Sequence, residues 1–303
     1  MPSYYNDIKE LVGRTPILKL NNISVKEGVN IFAKLEIFNP GGSVKDRIGI
    51  YMIKKAEEKG ILKKGSTIIE PTAGNTGLGI ALAAINKGYR VIFTVPEKFS
   101  IEKQLLMKAF GAEIVNTPEE QGMKGAIEKA EELLSTINNS VSLNQFENPA
   151  NPLAHYETTG PEIYEALDGK IDYLIAGAGS GGTFTSIVKY LKEKNPNIKG
   201  IIADPEGSMI GGGIKGCYKI EGIGNDFIPD TLDMTLVDSF IKVNDNEAFD
   251  MVKKLAKKEG LIVGSSSGAA VSAALKLAST INKGNIVVIL PDRGDRYFSK
   301  NIY

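Results

Sequence analysis

Short runs of β-branched and apolar residues alternate along this chain with longer stretches whose apolar positions recur every three or four residues. Gly or Pro stands at most of the junctions. Ser66–Glu70 predicts a strand, Pro71–Gly77 a loop, and Leu78–Lys87 a helix stopped at Gly88. Tyr89–Val95 is the next strand, ended by Pro96, and Ile101–Phe110 is a helix stopped at Gly111. Glu113–Val115 and a long helical pattern over Lys124–Thr136 follow. A second series starts at Asp172–Ala176, continues through a helix over Thr183–Lys194 to Gly200–Asp204, and ends with Asn285–Leu290. Strand–helix–strand repetition with nearly continuous apolar strands predicts the α/β class, with mainly parallel, doubly wound sheets covered on both faces. Two series imply two lobes with a cleft between them, 1–148 and 149–303, and Asn144–Asn151 as the crossover. The charge runs Lys54–Lys59 and Lys253–Glu259 read as solvated helix faces.

Composition narrows the chemistry. At 303 residues the chain can hold one large or two ordinary domains. The 36 Lys and Arg balance the 36 Asp and Glu, so nucleic acid is not an expected partner. One cysteine, Cys217, excludes an intrachain disulfide and a multi-cysteine metal site, and one histidine, His155, excludes imidazole clusters, so no metal is expected. Cys217 reads as a small neutral filler and His155 as a packing or hydrogen-bonding residue near the crossover; Tyr218 and Phe146 fit core or cleft equally. There is no apolar run long enough to span a membrane. Met1–Glu10 lacks the pattern of a signal peptide, so a cytoplasmic protein is expected. Any catalysis has to come from lysines, serines, backbone amides or a borrowed cofactor.

The glycines cluster at strand ends, where open parallel sheets bind ligands and helix N-termini offer amides to anions. The loop Gly177-Ala178-Gly179-Ser180-Gly181-Gly182-Thr183 has the spacing of a dinucleotide fingerprint, with Asp204 closing the next strand. The same spacing suits a compact phosphate cradle or a plain strand–helix turn, and spacing alone does not choose. Gly264-Ser265-Ser266-Ser267-Gly268 has the form of a hydrolase nucleophile elbow, but His155 lies upstream where that fold needs it downstream. Ser266 therefore reads as a helix cap or a ligand's hydrogen-bond partner. Lys45 follows the turn Asn39–Val44 at the start of a helical pattern (Ile48, Met52, Ile53, Ala56). The positive end of a helix dipole disfavours an ammonium there, and a neutral amine is what a Schiff-base lysine needs.

Five ordered segments then act together: Asn39–Arg47 (NPGGSVKDR), Glu70–Gly77 (EPTAGNTG), Gly179–Thr183 (GSGGT), Glu221–Pro229 (EGIGNDFIP) and Gly264–Ala269 (GSSSGA). With them the chain resembles, from about Ile8 to its C-terminus, the cysteine synthase/cystathionine β-synthase family of pyridoxal-phosphate enzymes (fold type II, tryptophan synthase β-like). The resemblance implies pyridoxal 5′-phosphate as cofactor, held as an aldimine by Lys45 in a mobile N-terminal lobe. It places the phosphate on Gly179, Ser180, Gly181, Gly182 and Thr183, the ring's 3′-oxygen on Asn75 and the pyridine nitrogen on Ser266. Thr72, Ala73, Gly74, Asn75 and Thr76, joined by Gln145, would bind the substrate α-carboxylate; many relatives carry serine where Ala73 stands. A hydroxyl at Ser266 leaves the ring a weaker electron sink than a carboxylate would, which suits elimination at Cβ.

The implied reaction is β-replacement on O-acetylserine or serine through an α-aminoacrylate. Lys45 moves the Cα proton, and homocysteine or sulfide adds to give cystathionine or cysteine. Glu221–Pro229 and Asn151–Tyr156 resemble the bacterial O-acetylserine-using cystathionine β-synthases more than sulfide-only cysteine synthases. In that comparison Gly222 and Asp226 line the substrate cleft. Asp226 could orient the second substrate, or activate water; the latter would make the enzyme a cysteine lyase releasing hydrogen sulfide, with serine or lanthionine as co-product. The haem segment and regulatory module of longer animal relatives are not seen, so haem or S-adenosylmethionine control is not expected. Small amino-acid substrates and a thiol are the expected partners, and a homodimer the expected assembly. A non-catalytic peptide-binding relative, and an NAD-dependent dehydrogenase should the purified protein show no cofactor colour, are the remaining alternatives.

Overall fold

The computed structural model describes residues 4–23, 25–72, 74–97 and 101–303. In chain order its strands are β1 (Ile17–Lys19), β2 (Val29–Leu35), β3 (Thr67–Pro71), β4 (Arg90–Pro96), β5 (Glu113–Thr117), β6 (Ser140–Val141), β7 (Tyr173–Gly177), β8 (Lys199–Pro205), β9 (Ser239–Val243) and β10 (Gly284–Leu290). The helices are α1 (Lys45–Glu58), α2 (Asn75–Ala84), α3 (Ile101–Ala109), α4 (Gly122–Thr136), α5 (Ala150–Ala154), α6 (Gly160–Ala166), α7 (Gly182–Lys194), α8 (Asp245–Glu259) and α9 (Ser265–Thr280). A π-helical turn, His155–Thr159, joins α5 to α6.

Contacts divide the chain into two units, one of Asn39–Ala150 with the residues before Gly13, the other of Gly13–Phe38 with Asn151–Tyr303. In the first, the sheet runs β5-β4-β3-β6 with every pairing parallel. Helix α2 is buried almost all round, as its run of Leu78, Ile80, Leu82 and alanines dictates. Helix α1 turns a narrower stripe inward, with Ile48, Met52, Ile53 and Ala56 at helical spacing. Each large side chain in that stripe contributes about 1.5–3 kcal/mol by leaving water.

The second unit holds the sheet β1-β2-β10-β7-β8-β9, parallel except for β1 against β2. The expected lobe boundary, 1–148 against 149–303, differs from this partition chiefly at Gly13–Phe38. Strand β2 pairs along its length with β10, from Val29↔Gly284 to Leu35↔Leu290. Its apolar face of Val29, Ile31, Ala33 and Leu35 packs in the same core as Ile286, Val288 and Leu290. Burial, rather than chain proximity, assigns the segment.

The α/β class and parallel sheets expected from the sequence are those observed. One element is displaced in a way that matters: the helix expected over Leu78–Lys87 runs Asn75–Ala84. Gly74 takes the N-cap, so the polar residues Asn75 and Thr76, which read as loop, form the first helical turn.

Candidate active site

In the first unit, Lys45 is the first residue of α1 and is half-buried. The turn before it is held closed by Asp46, whose buried carboxylate accepts the Gly41 amide at 2.5 Å. Ser43 Oγ accepts the Lys45 amide at 3.2 Å. Helices α1 and α2 meet along a seam of small residues. A Cβ on Gly79 would overlap the Lys45 carbonyl, and one on Gly49 would overlap the Gly79 carbonyl. Glycine at these positions lets the backbones touch, which sets the Lys45 backbone against α2, one turn on from its start.

The first turn of α2 ends the segment expected to bind a carboxylate. Thr72 is buried, and its Oγ1 accepts the Gly74 amide at 3.3 Å. Gly74 has open space where a side chain would stand. Asn75 is half-buried at the start of the helix, and Thr76 Oγ1 donates to Gln145 Oε1 at 2.6 Å. Thr72, Gly74, Asn75, Thr76 and Gln145 are thus brought together; Ala73 lies outside the described residues. Sequence reasoning missed Glu70, which holds this arrangement from below. Its buried carboxylate accepts from Ser142 Oγ and the Leu143 amide, each at 2.8 Å, immediately before Gln145. Burial raises the Glu70 carboxyl above its usual range, and the hydrogen bonds from Ser142 and the Leu143, Asn144 and Gln145 amides oppose that only in part.

In the second unit, β7 feeds the glycine loop and then α7. Gly181 is the N-cap, at φ +86°, a left-handed conformation that glycine adopts without steric cost. The Thr185 amide bonds the Gly181 carbonyl at 2.9 Å as the helix starts, leaving earlier amides outside the helical ladder. The loop is fixed from several sides. A Cβ on Gly179 would overlap the Gly222 carbonyl, and one on Gly182 would overlap the Asn151 side chain. Asn151 Nδ2 donates to Ser180 Oγ at 2.9 Å, Asn225 Nδ2 donates to the Gly179 carbonyl at 2.6 Å, and Thr231 Oγ1 donates to the Ser180 carbonyl. Asp204, the acid a dinucleotide site would use, is instead buried against Lys242 at 2.6 Å.

Ser266 is buried in the first turn of α9, but it is not the helix cap; Gly264 is. Gly222 adopts φ +83° beside the loop. Asp226 is exposed and forms an ion pair with Lys215 at 2.8 Å, and that ammonium holds its carboxyl below the usual range. The pair borders a pocket of about 250 Å³ lined also by Gly207, Gly216, Tyr218 and Asn225. Tyr218 is therefore a pocket residue, whereas Phe146 is exposed. Cys217 is not the buried filler expected: it is exposed in a glycine-rich stretch without regular structure. His155 is fully buried, as a packing role requires. Among the described residues no group of acids, histidine and cysteine could hold a metal ion, and no helix is long and apolar enough to cross a membrane.

A profile of the family described as "Pyridoxal-phosphate dependent enzyme" matches residues 8–292. The chain belongs to that family. Pyridoxal 5′-phosphate is accordingly the cofactor of this enzyme. Its sequence is 53% identical to the O-acetylserine dependent cystathionine β-synthase of Bacillus subtilis (strain 168), over 98% of this chain and 97% of the relative. A solved O-acetylserine dependent cystathionine β-synthase from Helicobacter pylori superposes with a TM-score of 0.94 at 48% identity, covering 100% of both chains. A hydrogen sulfide-producing enzyme from Fusobacterium nucleatum gives 0.93 at 42% identity, over 97% of this chain and 100% of that one.

The residues of this pyridoxal-phosphate enzyme suit that cofactor on chemical grounds. Glycines without room for a side chain, open amides at the start of α7 and the Thr183 hydroxyl are the donors a phosphate dianion requires. Lys45, at a helix start, has the kind of amine that an aldehyde cofactor requires.

Proposed function

We propose that this enzyme catalyses β-replacement on O-acetylserine or serine, adding homocysteine or sulfide to give cystathionine or cysteine. The observation that carries the proposal is the seam at Gly79, which sets the Lys45 backbone against the helix whose first turn holds Asn75 and Thr76. A lysine on one helix and an anion receptor on the helix packed against it suit an α-amino acid, whose Cα lies between its amino and carboxylate groups. The 53% identity to an O-acetylserine dependent cystathionine β-synthase supports the choice of reaction.

When bound, pyridoxal phosphate supplies an aldehyde for the substrate amine and a ring that draws electrons from Cα. Gly179, Ser180, Gly181, Gly182 and Thr183 would hold its phosphate, Asn75 its 3′-oxygen, and Ser266 would offer the pyridine nitrogen a neutral hydroxyl. Thr72, Ala73, Gly74, Asn75, Thr76 and Gln145 receive the substrate carboxylate, with backbone amides and the start of the α2 dipole favouring the anion. Lys45 would hold the cofactor at rest. Once displaced by the substrate amine, its Nζ takes the Cα proton, and acetate or hydroxide departs from Cβ with the C–O bonding pair. The thiol sulfur forms the new bond to Cβ and gives up its proton to the departed acetate or hydroxide, and Lys45 returns a proton to Cα. Gly222 and Asp226 bound the space for the entering thiol. The same proposal has the enzyme act as a cytoplasmic homodimer.

Release of hydrogen sulfide from cysteine is a second reading, favoured by the likeness to the F. nucleatum enzyme and by an ionised Asp226 beside an open pocket. Separate incubations of O-acetylserine, serine and cysteine with homocysteine, sulfide or water, with products identified by mass spectrometry, distinguish the two. Cystathionine or cysteine from an activated serine is expected; sulfide from cysteine alone would support the second reading, and no thioether or thiol product from any pair would refute both.

A further inference from the structure

The single histidine of the chain supports the glycine loop through a route that the proposed reaction does not use. His155 and Thr159 are both fully buried. His155 Nδ1 lies 2.9 Å from Thr159 Oγ1, and Nε2 lies 3.1 Å from Thr183 Oγ1. His155 and Thr159 are the first and last residues of the π turn, four positions apart, a spacing at which helical side chains are neighbours. One helical step earlier, Asn151 donates to Ser180 Oγ. The α5–π segment therefore forms a platform under the loop, touching it at Ser180 and again at Thr183.

The position of one proton decides what Thr183 can do. A threonine hydroxyl has a single proton. If Nε2 is bare, Thr183 donates to the ring and has nothing to give an anion. If Nε2 carries the proton, the ring donates to Thr183 Oγ1, and the threonine's own proton is free for an acceptor beyond it. The bare Nδ1 then needs a donor, and the Thr159 hydroxyl is in place to be one. We propose that His155 is a positioning residue for the cofactor phosphate: Thr159 holds it as the Nε2–H tautomer, and it turns the Thr183 hydroxyl proton outward to the phosphate. This rests on Gly179–Thr183 being the phosphate cradle. The chain of donors runs Thr159, His155, Thr183, phosphate, each polarising the next.

Because there is only one histidine, the imidazole nitrogens of the ¹⁵N-histidine-labelled holoenzyme give one unambiguous set of resonances, and no substitution is needed to observe them. Long-range ¹H–¹⁵N spectra are expected to show Nε2 as the protonated, pyrrole-type nitrogen and Nδ1 as the bare one. An Nδ1–H tautomer or a doubly protonated ring in the loaded enzyme overturns the proposal. Thr159→Val removes the donor to Nδ1 while keeping the shape. It is expected to shift the ring toward Nδ1–H and to weaken equilibrium binding of pyridoxal phosphate by roughly tenfold, the worth of one hydrogen bond. His155→Gln, whose amide can still donate to Thr183, is expected to bind better than His155→Phe. Equal affinities for the wild type and Thr159→Val contradict the role of Thr159 in holding the ring. If the wild type leaves the ³¹P resonance of added pyridoxal phosphate at its free position, the cradle itself is refuted; binding with the wrong tautomer refutes only the part given to His155.

Discussion

Glu70, near the end of β3, accepts the Leu143 amide at 2.8 Å across 73 positions of sequence. The same carboxylate takes the Ser142 hydroxyl at 2.8 Å, so the approach to Gln145 is bound to the end of β3. Gln145 in turn accepts from Thr76 at 2.6 Å. A buried acid that meets no substrate atom in the proposed reaction thereby sets where the Gln145 side chain, proposed to bind substrate, stands.

Burial raises the Glu70 carboxyl, so the folded protein holds its proton more tightly than the unfolded chain does. Its contribution to stability is complete below the unfolded carboxyl's range and is lost as pH rises through the higher folded value. Glu70→Gln has no such proton. In urea unfolding over a pH series, the stability of wild type relative to Glu70→Gln is expected to fall as pH rises through that window. A difference that grows with pH would contradict the sign. Glu70→Ala leaves the Leu143 amide without its acceptor and is expected to cost about 1–3 kcal/mol.

At Gly79 a single methyl group would enter the space of the Lys45 carbonyl. Gly79→Ala is expected to destabilise by about 1–3 kcal/mol through overpacking. It should also lower the fraction of enzyme that retains bound cofactor after gel filtration, because α1 has to shift. Unchanged stability together with full cofactor retention would show that the seam yields without moving Lys45.

The ion pair of Lys215 and Asp226 is exposed, so it adds little to folding. Its place beside the pocket suggests instead that it meets the charged end of an amino-acid thiol. Asp226→Asn is expected to lower kcat/KM for homocysteine severalfold relative to sulfide, with the KM for O-acetylserine unchanged. Competition between the two nucleophiles reads this ratio directly. A ratio equal to that of the wild type would leave the pair a solvated surface contact.

Much of this was legible in the sequence, because strands such as Asn285–Leu290 and helices such as Thr183–Lys194 are set by local periodicity and glycine stops. What escaped depends on distant partners. Strand β2 finds β10 some 255 positions along the chain, as Asn30 and Asn285 illustrate, and no local pattern announces such a pairing. Asn75 and Thr76 read as loop because their polarity outweighs a helix start that Gly74 alone marks. Glu70 and His155 matter through what they hold in place, and a residue's second neighbours are not written in its own segment. Cys217 was misjudged because cysteine is usually buried, whereas the chain around it is an exposed glycine-rich stretch.

The central claim is that the amine at the start of α1 carries the cofactor. Borohydride reduction of the freshly purified holoenzyme, followed by digestion and mass spectrometry, tests it most directly. The pyridoxyl mass is expected on the peptide containing Lys45 and nowhere else, with Lys45→Ala unlabelled and inactive in β-replacement. A label on another lysine, or normal turnover by Lys45→Ala, would contradict the account.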